Sequence, residues 1–268
     1  MIANLLSIAG SDPSGGAGVQ ADIKTFAALG CHGMAVVSAL TAQNSRGVFA
    51  IHVPPAEFLA AQIDAVFDDI RVDAVKIGML ASAANARVVA QAMAARKPRF
   101  AVLDPVLAAS GGAELGDGGL TGVIVGELLP LVDLVTPNAP EAARLTGFEP
   151  AFDIDGLRRQ GLALLGMGAR AVLMKGGHIA GGAAVDLLLD GVGETIFSTP
   201  RVATSNTHGT GCALSSAIAA HVAMGKTIAD AVGAAKDFLV GAMRGGGGFQ
   251  VGAGPGPLNH FWRLWPAR

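Results

Sequence analysis

The chain has 268 residues, of which 51% are hydrophobic and 15% are charged, and its formal net charge is −2 at pH 7. This composition is typical of a folded protein with a large core and excludes a disordered chain. Because the charges are balanced and form no run, neither nucleic acid nor an anionic membrane is expected as a partner. Two cysteines, Cys31 and Cys212, imply no disulfide framework and favour a cytoplasmic location. The start "MIANLLSIAGSDPSGG" predicts a first strand rather than a signal peptide, and no apolar run reaches transmembrane length.

Short apolar runs alternate with longer helical segments along the chain. The predicted strands cover residues 5–9, 34–40, 74–77, 100–103, 131–135 and 171–174. Helices are predicted near residues 17–29, 55–68, 82–96, 119–129, 138–146, 153–167, 211–223 and 227–243. A less regular pair of runs, 185–189 and 195–198, flanks "DGVGE" and predicts a hairpin. Most strand runs are continuously apolar, which is typical of strands buried on both faces.

This alternation predicts an α/β fold with a mostly parallel central sheet and helices on both faces. No repeat or linker divides the sequence, so one domain is predicted over residues 1–268. In such sheets ligands bind beyond the carboxyl ends of the strands. The polar residues that follow each strand are therefore the candidates for binding and chemistry.

Two glycine motifs are similar to nucleotide-binding signatures but stand in the wrong context. Residues 16–21 fit G-x-G-x-x-A, yet residues 11–14 separate them from the strand, and the second strand ends in Thr41 and Gln43 instead of an acid. Residues 220–227 lack the first glycine of a P-loop, and Gly225 and Lys226 are expected at a helix end. Neither a dehydrogenase nor a P-loop enzyme is therefore expected.

The loop Gly209-Thr210-Gly211-Cys212 runs directly into an apolar helical segment. Backbone N–H groups at a helix N-terminus point at a ligand and carry partial positive charge, so they form an anion site. Alone, the loop is also typical of a glycine turn that caps a buried helix.

The other strand ends favour the first interpretation. Lys175 is positioned to meet a phosphate, or is a surface lysine with a buried stem. Asn138 and Glu141 offer oxygen ligands suited to Mg²⁺, or form an N-cap with an acid in the first turn. Asp104 is a metal or water ligand, or satisfies nearby amides. Together these groups indicate phosphoryl transfer, which depends on positioning and electrostatics.

Seven stretches closely resemble the hydroxymethylpyrimidine/phosphomethylpyrimidine kinases of thiamine biosynthesis, which belong to the ribokinase-like superfamily. They are "IAGSDPSGGAGVQADIKTFAALG" (8–30), "TAQNSRGV" (41–48), "VKIGMLAS" (75–82), "TPNAPEA" (136–142), "VLMKGGH" (172–178), "GTGC" (209–212) and "GPLNHFW" (256–262). The resemblance implies a three-layer ribokinase-like fold, use of ATP and Mg²⁺, and a homodimer. It also implies phosphorylation of the hydroxymethyl group of 4-amino-5-hydroxymethyl-2-methylpyrimidine, and then of the monophosphate to the diphosphate.

The same resemblance implies a role for each matching residue. The pyrimidine-binding glutamine is matched by Gln43, and the other positions lining that pocket are matched by Gly10, Asp22 and Met79. The anion hole is matched by residues 209–212, and the phosphate-contacting lysines by Lys175 and Lys236. The N-x-x-E motif of magnesium and phosphate binding is matched by Asn138 and Glu141, beside the candidate metal ligand Asp104.

One loop departs from the family pattern. Many relatives have "DPVMVAKSGD" where this chain has "DPVLAASGGA" (104–113), so Ser110 replaces a lysine and Ala113 an acid. If that loop covers the nucleotide, the contacts to ATP are weaker or differently supplied.

Cys212 is a candidate base for the acceptor hydroxyl. A helix N-terminus stabilises a thiolate, so its pKa is expected to fall from about 8.5 toward neutrality. The alternative is a small residue that fills the helix junction. His178 and His208 are expected to be structural or rim residues. Two other functions stay open: a pyridoxal/pyridoxine kinase and a pyrimidine-binding protein without turnover.

Overall fold

The protein is described by a computed structural model that covers residues 1–108, 115–177, 179 and 182–265. Within these ranges, nine strands form one sheet in the order β3-β2-β1-β4-β5-β6-β7-β8-β9. The strands are β1 Asn4–Gly10, β2 His32–Asn44, β3 Gly47–His52, β4 Ala74–Ile77, β5 Ala101–Leu103, β6 Leu134–Val135, β7 Val172–Gly176, β8 Ala183–Leu189 and β9 Glu194–Pro200.

The centre of the sheet is parallel, and its two edges are antiparallel. Strands β2, β1, β4, β5, β6 and β7 are paired in parallel. Strand β3 pairs antiparallel with β2 at one edge, and the β8–β9 hairpin pairs antiparallel with β7 at the other. The mostly parallel sheet and the hairpin are therefore confirmed.

Helices cover both faces of the sheet, which confirms the three-layer α/β arrangement. They are α1 Gly18–Ala28, α2 Ala56–Phe67, α3 Ala83–Arg96, α4 Leu120–Val123, α5 Ala139–Thr146, α6 Ile154–Gly166, α7 Thr210–Ala223 and α8 Ile228–Gly245. Leu6 and Ile8 of β1 pack in the core beneath α2, α3, α5 and α6, whereas Leu5 packs in the core beneath α1, α7 and α8. Because successive strand residues point to opposite faces, both faces need apolar side chains and the run is continuously apolar.

Three elements differ from the sequence-based expectation. Strand β2 continues to Asn44 and is joined to β3, which was not predicted because its residues are mostly exposed and form no buried run. The helix predicted at 119–129 is instead α4, a π-helical turn Ile124–Leu128 and a 3₁₀ turn Leu129–Leu131. Pro130 lies in the last turn and lacks an N–H, so a regular helix cannot continue through it. The strand predicted at 131–135 shortens accordingly to β6.

Ser110, Ala113 and His178 lie outside the described residues, so the altered 104–113 loop is described only in part. In the described ranges, no helix is both long enough and apolar enough to cross a bilayer. The single-domain boundary and the homodimer stay predictions.

Candidate active site

A cavity of about 800 Å³ lies at the carboxyl ends of the parallel strands. Most of the candidate residues line it, from different strand ends: Gly10, Gln43, Met79, Asp104, Asn138, Glu141, Lys175, Gly209, Thr210, Gly211, Cys212 and Lys236. Residues that are far apart in sequence thus meet at the carboxyl ends of the parallel strands, where ligands bind in such sheets. Asp22 is the exception among the predicted site residues.

One side of the cavity contains the predicted pyrimidine-binding residues. Gly10 ends β1, and a side chain there would come within 3.0 Å of the Met79 sulfur, so the glycine leaves room for that methionine. Gln43 lies near the end of β2. Its Oε1 lies 3.2 Å from the Thr41 hydroxyl, and its Nε2 lies 3.4 Å from His208 Nε2. This wall therefore combines an apolar methionine with an amide that has hydrogen-bonding capacity to spare.

The buried Asp12 and the partly buried His208 form a pair beside Gln43. The Asp12 carboxylate lies 2.8 Å from His208 Nε2 and also accepts hydrogen bonds from the Ser14 amide and hydroxyl. Burial by itself would raise the pKa of Asp12, but the hydrogen bonds from His208 and Ser14 outweigh it and hold that pKa at about 2. His208 is therefore part of the cavity wall, as expected for a rim residue, and has a fixed anionic partner.

Asp22 lies behind the cavity wall instead of on it. Its carboxylate is fully buried, is paired with Lys76 Nζ at 2.8 Å, and accepts hydrogen bonds from Ser7 and Ser216. The predicted pocket-lining position of Asp22 therefore needs correction: α1 directs its side chain into the interface with β1, β4 and α7. Burial would lower the pKa of Lys76, but the charge of Asp22 outweighs it and raises that pKa, so the pair is ionic.

Lys76 was not predicted as a site residue, although it lines the cavity. A signal was available in the sequence, because Lys76 interrupts the four-residue apolar strand β4. Lysine is almost never fully buried unless it is paired, so a lysine inside such a strand predicts a buried acidic partner. The identity of that partner depends on the packing of α1 against the sheet.

The opposite side of the cavity contains ionic groups. Lys175 Nζ lies 2.7 Å from Asp104 Oδ1 and 3.5 Å from Glu141 Oε2. Burial would lower the pKa of Lys175, but the two carboxylates outweigh it and raise that pKa. Burial raises the pKa of Glu141, because the opposing effect of Lys175 is smaller. Lys175 is therefore a protonated ammonium group that faces the cavity between two acids.

Asn138 and Glu141 form the capping box of α5. The Glu141 amide donates to Asn138 Oδ1 at 2.8 Å, and the Asn138 amide donates to Glu141 Oε2 at 2.8 Å. The helix-cap interpretation is thus confirmed. The cap does not exclude ligand binding, since both residues also line the cavity. The cap fixes where the Glu141 carboxylate lies relative to Lys175.

Lys236 projects from α8 toward the same side. Its ammonium lies 2.5 Å from Asp186 Oδ2 and 3.3 Å from the Ala184 carbonyl oxygen on β8. Asp186 also accepts a hydrogen bond from the Gly176 amide at 2.9 Å. The hairpin therefore holds the second lysine at the edge of the cavity.

The glycine loop at the start of α7 has the geometry that an anion site needs. Gly209 has φ +83°, and a side chain there would approach the Gly16 carbonyl oxygen to 1.9 Å. A side chain at Gly211 would lie 3.3 Å from Lys175 Nζ and 3.6 Å from Asp104 Oδ2. The bare backbone of the loop therefore faces the Lys175 ammonium directly, and the α7 N-terminus lacks a side-chain cap.

The structure contradicts the predicted pKa of Cys212. Burial raises the pKa of this thiol to about 11, and the nearby Lys76 ammonium only partly opposes the effect. The prediction considered only the helix terminus and omitted the cost of removing a thiolate from water.

The acidic residues fit a magnesium ion that keeps most of its water. In the described part of the chain, no cluster of three or more His, Cys, Asp or Glu side chains could hold a metal alone. Asp104 and Glu141 nevertheless both line the cavity and lie 2.7 and 3.5 Å from the same Lys175 ammonium group. Mg²⁺ is commonly bound by one or two carboxylates together with water and substrate phosphates.

The family model and the sequence relatives that match this chain agree on one protein family. Residues 12–259 match the sequence model of the family described as phosphomethylpyrimidine kinase. The chain is 47% identical over 267 residues to a hydroxymethylpyrimidine/phosphomethylpyrimidine kinase of Rhizobium meliloti, with 99% of each protein covered. It is 48% identical over 258 residues to the thiamine biosynthesis bifunctional protein ThiED of Geobacter sulfurreducens, of which it spans 52%.

Solved structures resemble the fold over nearly the whole chain. The pyridoxal kinase from Staphylococcus aureus in complex with ADP has a TM-score of 0.90 and 30% identity, covering 98% of this chain and 95% of that one. The same kinase with AMP-PCP and pyridoxal has a TM-score of 0.88, at 30% identity, with 97% and 94% covered. The phosphomethylpyrimidine kinase of Clostridium difficile is 39% identical with a TM-score of 0.78, covering 88% and 97%. The ribokinase-like fold is thus confirmed.

Proposed function

Because the chain belongs to the phosphomethylpyrimidine kinase family, we propose that it is a phosphotransferase of thiamine biosynthesis. It transfers the γ-phosphate of ATP to the hydroxymethyl group of 4-amino-5-hydroxymethyl-2-methylpyrimidine, and then phosphorylates the monophosphate. The observation that carries this proposal is the position of the Lys175 ammonium, which lies beside the glycine loop and lines the same cavity as Gln43 from the other end of the row of parallel strands. Relatives solved with ADP and with AMP-PCP support ATP as the phosphoryl donor.

In this mechanism the side chains position charge rather than form covalent bonds. Gln43 and Met79 hold the pyrimidine ring so that its hydroxymethyl group points at Cys212 and the α7 N-terminus. The amides of residues 209–212 and Lys175 stabilise the negative charge that spreads over the transferred phosphoryl group. Lys236 contacts the phosphates of the nucleotide from the hairpin side.

Magnesium belongs on the acidic side of the cavity. Asp104 and Glu141, with Asn138 beside them, would hold the ion through water or directly. The ion would neutralise phosphate charge and orient the phosphates for in-line transfer. Lys175 stays between the two acids and so keeps their net charge low before the nucleotide enters.

A base role for Cys212 would make it matter more in the first phosphorylation step than in the second. The alcohol must lose a proton, which a thiolate could accept, whereas a phosphate monoester is largely dianionic near neutral pH because its second pKa is about 6. A neutral thiol that fills the helix junction stays the alternative, and the raised pKa of Cys212 supports it.

The decisive experiment mixes the protein with MgATP and the pyrimidine alcohol and follows the mono- and diphosphate by mass spectrometry. We expect both products, in that order. Lys175→Met serves as the inactive variant, and Lys226→Met, an exposed lysine on the surface, serves as the matched control. Absence of either product with the wild-type protein would contradict the proposal.

A second candidate is pyridoxal kinase, since the similarity to the Staphylococcus aureus enzyme extends over 98% of the chain. Pyridoxal and pyridoxine should therefore be tested as acceptors in the same assay. A higher kcat/KM for pyridoxal than for the pyrimidine would favour this candidate. If no ATP is consumed with either acceptor, although the pyrimidine binds, the binding-protein alternative is favoured.

We propose further that the protein acts as a single-domain homodimer in the cytoplasm, with no nucleic-acid or membrane partner. The dimer and the location rest on the family resemblance, and the balanced charge supports the absence of such partners. Light scattering coupled to size exclusion measures the dimer directly, and a monomer mass would contradict it.

A further inference from the structure

A glycine- and proline-rich segment follows α8 and the short 3₁₀ turn Gly246–Gly248. This segment, residues 249–262, is called the strap below, and it contains the sequence Gly254-Pro255-Gly256-Pro257. Proline fixes its own φ and restricts the residue before it, so this stretch has few conformations although it contains glycine. Of the residues that line the cavity in the described ranges, none belongs to the strap. Any effect of the strap on the reaction is therefore indirect.

The strap contacts the turn between β2 and β3. The Gly254 amide donates a hydrogen bond to Ser45 Oγ at 3.1 Å. A side chain at Gly254 would come within 1.9 Å of the Ser45 carbonyl oxygen, so only glycine lets the two backbones approach this closely. Gln43 and Val48, on either side of this turn, line the cavity. The strap is therefore in contact with the turn that carries one wall of the cavity.

The strap also contacts the loop that precedes α7. The His208 amide donates to the Gly256 carbonyl oxygen at 3.0 Å, and the Gly256 amide donates to the Ser205 carbonyl oxygen at 3.2 Å. A side chain at Gly256 would come within 1.9 Å of Asn206 Oδ1. This loop continues into Gly209 and the N-terminus of α7, which line the cavity. Two neighbouring glycines of the strap thus contact two cavity walls that are far apart in sequence.

The end of the strap is fixed to the helices. Leu258 is buried in a small apolar cluster with residues of α7 and α8. The Asn259 amide donates to the Ala242 carbonyl oxygen at 3.1 Å, and its side-chain amide donates to the Gly245 carbonyl oxygen at 3.2 Å. The strap therefore has a rigid support on α8 and holds both loops against it.

We infer that the strap fixes the β2–β3 turn and the loop before α7 relative to each other, and that this keeps the acceptor in line with the transferred phosphoryl group. The inference rests on the proposed function, in which the acceptor lies on the side of the turn and the phosphoryl group at the α7 N-terminus. In-line transfer depends on this alignment, because a displacement of about 1 Å can lower the rate about 10²-fold. Gly254 and Gly256 are therefore positioning residues that substrate does not touch.

A displaced acceptor also leaves room for water at the γ-phosphate. The water oxygen then bonds to the γ-phosphorus and the bond from that phosphorus to ADP breaks. ADP, inorganic phosphate and a proton are released without phosphorylation of the acceptor. Loss of alignment is thus detected as ADP formed in excess of phosphorylated product.

Gly254→Ala and Gly256→Ala test the inference directly. Each adds one methyl group that meets an oxygen atom of a contacted loop, and neither glycine has a positive φ, so the backbone itself is not strained. In both variants kcat for the pyrimidine alcohol should fall by about tenfold or more. The ratio of ADP formed to product formed should rise at least about twofold over the wild-type value.

Gly247→Ala is the matched control, because it makes the same change where no atom lies within 4 Å of the added methyl group. It should keep the wild-type kcat and the wild-type ratio. A strap that only stabilises the fold would lower the amount of active protein, and the rates of ADP and product formation would then fall together. A wild-type ratio in both Gly254→Ala and Gly256→Ala would therefore overturn the inference, whatever happens to kcat.

Hydrogen exchange followed by mass spectrometry, without substrates, separates this inference from the proposed function. In Gly254→Ala, amide exchange should become faster in the turn, residues 40–48, and also in residues 205–211, because the strap joins the two; Gly247→Ala should match the wild type. If the wild-type protein phosphorylates no acceptor but this pattern appears, the proposed function fails and the coupling of the two loops by the strap stands. If exchange changes in neither loop, the inference fails whatever the activity.

Discussion

The two sides of the cavity are built on different physical principles. On the Gln43 side, the Thr41 hydroxyl donates to the Ser11 carbonyl, and the His208 ring pairs with the Asp12 carboxylate. On the Lys175 side, an ammonium group lies between two carboxylates and faces open space. The first arrangement offers hydrogen-bond donors and acceptors, the groups by which a neutral ring can be recognised. In the second arrangement, an entering phosphate can pair with the ammonium group and its metal ion with the carboxylates. Such exchangeable ion pairs suit a phosphate that changes its charge during the reaction.

The Asp22–Lys76 pair is fully buried, with Lys76 in the cavity wall and Asp22 behind it, and breaking it should have the largest effect. Lys76→Met leaves the Asp22 carboxylate buried without a cation, so the free energy of unfolding should fall by about 3–5 kcal/mol. Urea denaturation followed by circular dichroism measures this. The double variant Lys76→Met with Asp22→Asn removes both charges and should recover most of the loss. If the single and double variants are equally unstable, packing matters more than charge.

Lys175 tests the ionic side of the comparison. Lys175→Met should lower kcat by about 10²–10³ in both phosphorylation steps, because both transfer the same phosphoryl group. Steady-state kinetics with each acceptor gives the two values, and Lys226→Met is the surface control. A loss confined to KM would mean that Lys175 binds the substrate without stabilising the transition state.

Cys212 lies where the two sides meet, and its raised pKa makes the base hypothesis testable. If the thiolate accepts the hydroxyl proton, its fraction rises with pH below a pKa of about 11, so kcat/KM for the alcohol should rise about tenfold per pH unit from 7 to 9. Cys212→Ala should abolish this slope and lower the alcohol step by about 10² at pH 8, with a smaller effect on the monophosphate step. A flat profile, or equal losses in both steps, assigns Cys212 to packing.

Asp12 tests the hydrogen-bonded side through stability. Its folded pKa of about 2 lies below the unfolded value, so its contribution is present above about pH 4 and is lost as the pH falls through about 2. Asp12→Asn should reduce the free energy of unfolding at pH 7 by about 2 kcal/mol and weaken its dependence on pH between 4 and 2. Urea midpoints across that range measure the effect, with the exposed Asp69→Asn as control. An identical pH dependence in Asp12→Asn and the wild type would contradict this account.

The position of most site residues was predictable, because it follows from local patterns. Runs such as residues 100–103 and 171–174 are apolar on both faces, as a strand requires when helices cover both sides of its sheet. Once the strands are assigned, the residues after them must meet at one edge. Asn138 and Glu141 also form the cap that their spacing indicates.

The sequence by itself determined the layer order, the edge at which the site forms and, through its motifs, the family. Only the tertiary structure decided that Asp22 turns away from the cavity to Lys76, that His208 meets Asp12 from 196 residues away, and that burial raises the pKa of Cys212. Local propensities depend on neighbours along the chain, whereas desolvation and ion pairing depend on which elements pack together. Those contacts exist only after the helices have docked on the sheet.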